Sequence, residues 1–216
     1  MFFSNAVLDG VVEGLAHCNP DWGYLSRRIN SDITYKKGHL REDSAFMARF
    51  AELHLQNFLK ESPGVDYAPL ALDVERGGYI FCQKGGRIFC YLDGSKDPCA
   101  EYDKVVVCDE LPVCFEMSLT TKKTGMGRSK GCRRGPKGLS QLLGNFDYLT
   151  QRVAPLKNYF SVEQIGYVVV VYPSMINPDA ESQQRFSGWG GRLVPFYADK
   201  EQYMENIMTF REQHNL

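Results

Sequence analysis

The chain has 216 residues, 44% of them hydrophobic and 12% aromatic, which suits one domain with a substantial core and excludes a disordered chain. Its 25 basic and 26 acidic residues leave a formal net charge of −1, so bulk charge selects no partner and only local charge can do so. Asp9 and Glu13 interrupt the N-terminal stretch and the longest apolar run, YVVVVYP, is far too short to span a bilayer, so neither a signal peptide nor a membrane span is expected.

Taken together, these features predict a single domain over 1–216, soluble and intracellular, in cytoplasm or nucleus, with no membrane partner. The oligomeric state is open. Seven cysteines, at 18, 82, 90, 99, 108, 114 and 132, form an odd set with no C-x-x-C pair. They read as reduced thiols, several of them small core residues. A zinc site at the evenly spaced Cys82, Cys90 and Cys99 is the lesser alternative, because zinc ligands come in close pairs on tight turns.

Residues 6–15 form a short predicted helix, followed by a turn at NPDWGY. Asp43 or Ser44 can cap a helix running to about Lys60. Phe46, Phe50, Leu53 and Phe58 mark its apolar face, widened by Ala48, Leu55 and Leu59. Glu52 lies on the line Ala48, Leu55, Leu59 and so falls at the edge of that face. GGYIFCQ and GGRIFCYLDG read as two strands joined by a tight KGG turn. YDKVVVCD and LPVCFEMSLT read as a second antiparallel pair, joined around Asp109, Glu110 and Leu111.

Residues 121–137 are basic and glycine-rich. A helix is expected after them, with Leu139, Leu142, Leu143, Phe146, Leu149 and Val153 at helical spacing and Pro136 near its start. IGYVVVVYP has the unbroken apolar run of a strand covered on both faces. NPDAESQQRFSGWGGR reads as a long loop, and Asp199 as the cap of a last helix carrying Tyr203, Ile207 and Phe210. Helices and strands in this order predict an α/β fold, a mixed central sheet flanked by helices.

Side chains alternate along a strand. Asp103, Val105 and Val107 share one face of their strand; Cys114, Glu116 and Ser118 share one face of the next, opposite Val113, Phe115, Met117 and Leu119. A carboxylate on a half-buried strand is costly unless it is paired or metal-bound. Two carboxylates on adjacent strands repel each other. A hard divalent cation, magnesium or manganese, removes that cost.

This arrangement resembles the PD-(D/E)XK nuclease superfamily over about residues 42–172. The shared order is a helix with an acid, a strand hairpin, a strand opening on Asp, a strand ending in Glu-x-Lys, then a helix and a buried strand. The resemblance implies a restriction-endonuclease-like αβββαβ core and metal-dependent hydrolysis of phosphodiester bonds in DNA or RNA. It assigns Glu52 as the helical acid and Asp103 and Glu116 as metal-binding carboxylates, with Mg2+ or Mn2+ as cofactor. Two departures stand out: Tyr102 replaces the proline before the first Asp, and Ser118 occupies the lysine position. Lys122, Lys123 and Lys137 are the substitutes, with Lys137 preferred as the catalytic lysine. Gln141 lies one helical turn from Lys137, and some family members use a Gln on this helix.

Lys122, Lys123, Arg128, Lys130, Arg133, Arg134 and Lys137 fall within sixteen residues without an acid. Directly after the candidate site, they suit a phosphate backbone; the plain alternative is a solvated loop. GMGRSKG matches neither GxxxxGK[ST] nor GxGxxG spacing. His54 reads as a surface or packed residue, and His39 as a remote candidate ligand. Trp189 reads as a loop anchor before a base-stacking platform. The alternative to an enzyme is a catalytically inactive nuclease-like module that binds nucleic acid or a protein partner. An unrelated α/β interaction protein is the third reading.

Overall fold

The computed structural model describes residues 5–18, 43–84, 86–118, 145–171 and 180–195 as continuous segments, with single positions at 21, 27, 143, 205, 208, 209, 212 and 213. The basic segment from Lys122 to Lys137, Gln141, His39, Cys132 and the predicted last helix fall outside the continuous segments. Within them, the fold is mixed α/β with two sheets and four helices.

Helix α1 spans Ala6–His17, with the Asn5 side chain accepting from the Leu8 amide at its N-cap. Helix α2 spans Asp43–Glu61. Short strands β1 (Val65–Asp66) and β2 (Glu75–Arg76) follow. The first predicted hairpin is β3 (Tyr79–Lys84) and β4 (Arg87–Leu92), and β5 (Pro98–Tyr102) extends it. The second is β6 (Lys104–Cys108) and β7 (Leu111–Ser118), antiparallel as expected. Asp109 and Glu110 both take positive φ, 45° and 67°, in the two-residue turn between them. That is the turn geometry whose twist suits a hairpin, and Asp tolerates it well.

The five-stranded sheet runs β1-β6-β7-β8-β9 and is mixed: β8 (Gly166–Val171) lies parallel to β7, and β9 (Gly191–Pro195) parallel to β8. The four-stranded antiparallel sheet runs β2-β3-β4-β5. All six residues of β8 are buried, as its unbroken apolar run predicts. Its neighbours divide by parity. Val168 and Val170 join α1 and α2 in one core with Val106, Val113 and Phe115. Tyr167, Val169 and Val171 face the other core, with Val105, Cys114, Tyr102 and Phe81. That second core is covered by helix α3 (Phe146–Phe160) through Leu149, Val153, Leu156 and Tyr159.

Two sequence expectations are corrected. The helix expected from Lys137 is not continuous to residue 160, because Asn145 is non-helical and its side chain caps α3 by accepting from the Tyr148 amide. The hydrophobic spacing runs through this break and conceals it, although an Asn before an apolar helix is itself a start signal. The predicted loop NPDAESQQRFSGWGGR contains helix α4 (Ala180–Trp189) and the start of β9. Its periodicity is faint because two aromatic rings anchor it. Phe186 is fully buried, edge-on to Tyr167, with Trp189 stacked at 6.2 Å between centroids. Gly191 belongs to this contact: a Cβ there would lie 2.3 Å from the Phe186 ring. Trp189 also meets Phe146 and Tyr167, so it anchors a helix end inside an aromatic cluster.

Candidate functional site

Asp103 is the joint between the two sheets. Tyr102 pairs with Ile88 in the four-stranded sheet, and Lys104 pairs with Phe115 in the five-stranded one. Extending each register by one step sets Asp103 opposite Arg87 on one side and opposite Glu116 on the other. Directly opposed residues have Cβ atoms about 4.5–5.5 Å apart. Strand alternation groups Asp103 with Val105 and Glu116 with Cys114, and the core division agrees: Val105 and Cys114 lie in the α3-side core, and Glu116 shares that face of β7.

The Asp103 Oδ2 accepts the Met117 amide at 2.7 Å. Its Oδ1 lies 3.5 Å from the Arg87 Nε. The same guanidinium reaches Glu101 Oε1 at 2.7 Å and Glu52 Oε1 at 3.5 Å. Three carboxylates from α2, the end of β5 and the sheet joint therefore share one arginine. Arg87 is the most open of the four, with 48% of its side chain exposed against 18% for Glu52, 21% for Glu101 and 15% for Asp103. Glu52 thus reaches the site as its position on the edge of the apolar face implies; Leu53, Leu55 and Leu59 beside it are buried.

Glu116 is deeper, with 7% of its side chain exposed, and its partner is Arg152 of α3. The Arg152 Nε donates to Glu116 Oε1 at 2.9 Å and Nη1 donates to the Tyr148 hydroxyl at 2.8 Å. Nη2 donates to Glu116 and to the Glu101 carbonyl. The guanidinium also lies over the Tyr102 and Tyr148 rings, and the Tyr102 hydroxyl donates to the Arg152 carbonyl at 2.6 Å. Lys104, also buried, donates from Nζ to the Gly86 carbonyl at 2.6 Å. Four carboxylates against two guanidiniums leave the ionised cluster anionic even with the Lys104 ammonium beside it.

The predicted site residues thus divide cleanly. Glu52, Asp103 and Glu116 come together. Ser118 ends β7, paired with Val171. Lys137, Gln141 and the basic segment lie outside the described residues. Sequence reasoning missed Arg87, Glu101, Arg152 and Tyr148. Arg152 carried a signal: it sits beside Val153 on the apolar helix face, where a cation needs a buried anion. Arg87 follows a turn and reads as an ordinary surface charge until the register is known.

The donor chemistry suits a hard divalent cation, since carboxylate oxygens are what magnesium and manganese prefer. The arrangement presents those oxygens to guanidiniums instead. Among the described residues no three His, Cys, Asp or Glu groups are placed to hold a metal ion together. Arg87 stands between Glu52, Glu101 and Asp103, and Arg152 occupies one oxygen of Glu116.

Burial pushes the Glu116 carboxyl up to about 7, opposed by Arg152 and reinforced by the Asp103 charge. Burial likewise raises Asp103, with the Met117 amide and Arg87 pulling the other way. His54 is packed, 2% exposed, with Nε2 3.3 Å from the Cys18 Sγ. Burial lowers its imidazole to about 4 and raises the Cys18 thiol to about 12. Both are neutral near pH 7, so this pair has neither the thiolate nor the imidazolium of an activated nucleophile.

Two of these anomalies, at Glu116 and His54, oppose each other. Folded Glu116 holds its proton more tightly than the unfolded chain, so its contribution is present at low pH and is lost as pH rises through about 7. Folded His54 holds its proton less tightly, so its contribution is lost as pH falls from 6.5 toward about 4. Each slope approaches about 1.4 kcal/mol per pH unit where the windows overlap. In wild type, followed by urea unfolding, these two contributions are therefore expected to nearly cancel between pH 6.5 and 5. Glu116→Gln should lose up to about 2 kcal/mol over the same range, and His54→Gln should gain stability there. A Glu116→Gln profile as flat as that of wild type would contradict the burial-raised carboxyl.

No helix among the described residues is long and apolar enough to cross a membrane. The six described cysteines are all free thiols, with Cys90, Cys108 and Cys114 buried. Compared with known proteins, the chain matches no family model, no curated protein and no solved structure.

Proposed function

We propose that this protein is a divalent-metal-dependent nuclease of the PD-(D/E)XK type, acting on phosphodiester bonds in DNA or RNA inside the cell, in cytoplasm or nucleus. One observation carries the reading. Glu52, Asp103 and Glu116, far apart in sequence, share one charged cluster, with Asp103 in register opposite Glu116 and ion-paired to the same arginine as Glu52. The element order supports it as well: an acid-bearing helix, antiparallel strands, a covering helix and a parallel buried strand.

Asp103, Glu116 and Glu52 are the residues that would hold Mg2+ or Mn2+, with Glu101 within reach of the same cluster. When bound, the ion supplies an acidified water and screens phosphate charge. The chain's own contributions follow from its contacts. The Met117 amide fixes the Asp103 carboxylate. Arg152 fixes one oxygen of Glu116 and leaves the other free of that guanidinium. By the family resemblance alone, Lys137 would orient the attacking water in place of the absent motif lysine, and the basic segment from Lys122 to Arg134, with Gln141, would position the backbone.

The buried Arg152–Glu116 pair favours a second reading, in which a guanidinium has replaced the catalytic ion and the domain binds nucleic acid or protein without cutting. Incubation of the purified protein with labelled single- and double-stranded DNA and RNA separates the readings. Cleavage that needs magnesium or manganese and stops with chelator supports the nuclease. Salt-sensitive binding with no cleavage in either metal supports the binding module. Failure to bind any polyanion would set both aside in favour of an unrelated interaction protein.

A further inference from the structure

Helices α1 and α2 each turn one stripe toward the other. On α1 the stripe is Val7, Gly10, Val11 and Gly14; on α2 it is His54, Asn57, Phe58 and Glu61. Both follow the i, i+3, i+4, i+7 spacing of a single helix face. Between them lies a cavity of about 600 Å³, the size of a small-molecule site. Glycine inside a helix is destabilising, and packing explains only one of these two. A Cβ on Gly14 would lie 2.8 Å from the Phe58 ring, so the helix contact requires Gly14. A Cβ on Gly10 would meet nothing within 4 Å. Gly10 thus keeps open a part of the cavity that a side chain would fill.

Asn57 is an independent signal. It is 7% exposed, it lines the cavity on the face turned to α1, and its side-chain amide makes no hydrogen bond to a described residue. A buried amide without a partner is costly, so the cavity calls for a polar group opposite Asn57. The sign of that group follows from the wall. Among the described residues it carries two carboxylates, Asp21 and Glu61, and no lysine or arginine. His54 is neutral near pH 7, since burial lowers its imidazole to about 4. Lys60 is exposed and lies off the stripe. Glu61 is the last residue of α2, where the helix dipole adds partial negative charge to that of the carboxylate. Asn57 and Glu61 stand one turn apart, with Cβ atoms about 5–6 Å from each other, so one ammonium group can reach both.

We propose that this cavity is a binding site for a small organic cation, a primary amine on an apolar or aromatic body. The ammonium donates to the Asn57 amide oxygen and to the Glu61 carboxylate. The body lies over Gly10, between Val7, Val11 and Phe58, and the Phe58 ring offers its face to the charge. No residue of the carboxylate–arginine cluster lines the cavity, so the site stands apart from the nuclease reading.

The test uses three probes that share an indole body: tryptamine, a cation at pH 7; tryptophol, uncharged; and indole-3-acetate, an anion. Each is titrated into the isotope-labelled full chain and followed by amide nuclear magnetic resonance. Tryptamine is expected to give saturable shifts on the two facing stripes. It should bind at least about tenfold tighter than tryptophol, the scale of one charge-assisted hydrogen bond, and indole-3-acetate should not bind. Gly10→Leu fills the cavity and replaces a poor helix former with a good one, so it should fold at least as well as wild type and abolish the tryptamine shifts. Asn57→Leu should weaken tryptamine by about tenfold, and Glu61→Gln should remove most of the preference for tryptamine over tryptophol. Equal binding of all three probes, or tryptamine shifts that survive in Gly10→Leu, would overturn the proposal. So would the lack of any saturable tryptamine shift in wild type, which would leave water as the partner of Asn57.

Discussion

Arg152→Ala is expected to destabilise the fold by about 3–5 kcal/mol. The side chain is 13% exposed and its partner Glu116 only 7%. Removing the guanidinium strands Glu116 under α3, leaves the Tyr148 hydroxyl and the Glu101 carbonyl without this donor, and withdraws a cation from the Tyr102 ring. A carboxyl so stranded takes up a proton rather than remain charged. The loss is therefore expected to be larger at pH 8 than at pH 5. Replacing both members, Glu116→Met with Arg152→Met, should recover most of the stability, because a buried pair exchanged for apolar groups of similar volume is often neutral. Urea unfolding of the two variants checks this. A loss below about 1 kcal/mol for Arg152→Ala would mean that the pair is solvated, as surface pairs are.

On the proposed nuclease reading, Asp103→Asn and Glu116→Gln are each expected to lower metal-dependent cleavage by at least about a hundredfold, the scale of deleting one preorganised electrostatic contact in an active site. These substitutions preserve shape. The amide oxygen of the first can still accept from the Met117 backbone, and that of the second can still accept from Arg152. Loss of rate would therefore report lost charge rather than lost structure. The double variant should be scarcely slower than either single one, since residues that act as a unit are far from additive. Glu52→Gln should cost less, because the contact of Glu52 to Arg87 is long, at 3.5 Å. Single-turnover cleavage of the best labelled substrate measures all four. Full activity in Asp103→Asn and Glu116→Gln would place the chemistry elsewhere.

Much of the sheet was legible because strand parity is strict. The alternation that put Cys114 and Glu116 opposite Val113 and Phe115 is the division between the two cores. The run of valines in β8 announced burial on both faces for the same reason. Where the signal was one or two residues, reading failed: Asn145 breaks a run of helical spacing to cap α3, and α4 is anchored by the rings of Phe186 and Trp189. The separation into two sheets was hidden too, because the chain passes from one to the other at Asp103 without a turn residue to mark it.

The acids of the candidate site were legible and their counter-ions were not. A carboxylate such as Glu116 in an apolar strand is conspicuous, since its burial needs compensation. The compensating group arrives from any distance along the chain: Arg152 lies 36 positions from Glu116, on a helix, and Arg87 lies 16 positions from Asp103, on a strand end. Only the register and the packing of α3 reveal them. The same packing turns an expected ligand set into a set of ion pairs, and so makes the arginines part of any account of how the site works.

The most direct measurement is anomalous diffraction from crystals grown with a phosphorothioate oligonucleotide and soaked in Mn2+. A manganese peak is predicted at the cluster of Glu52, Asp103 and Glu116. An ordered oligonucleotide with no manganese peak at those carboxylates would contradict the account.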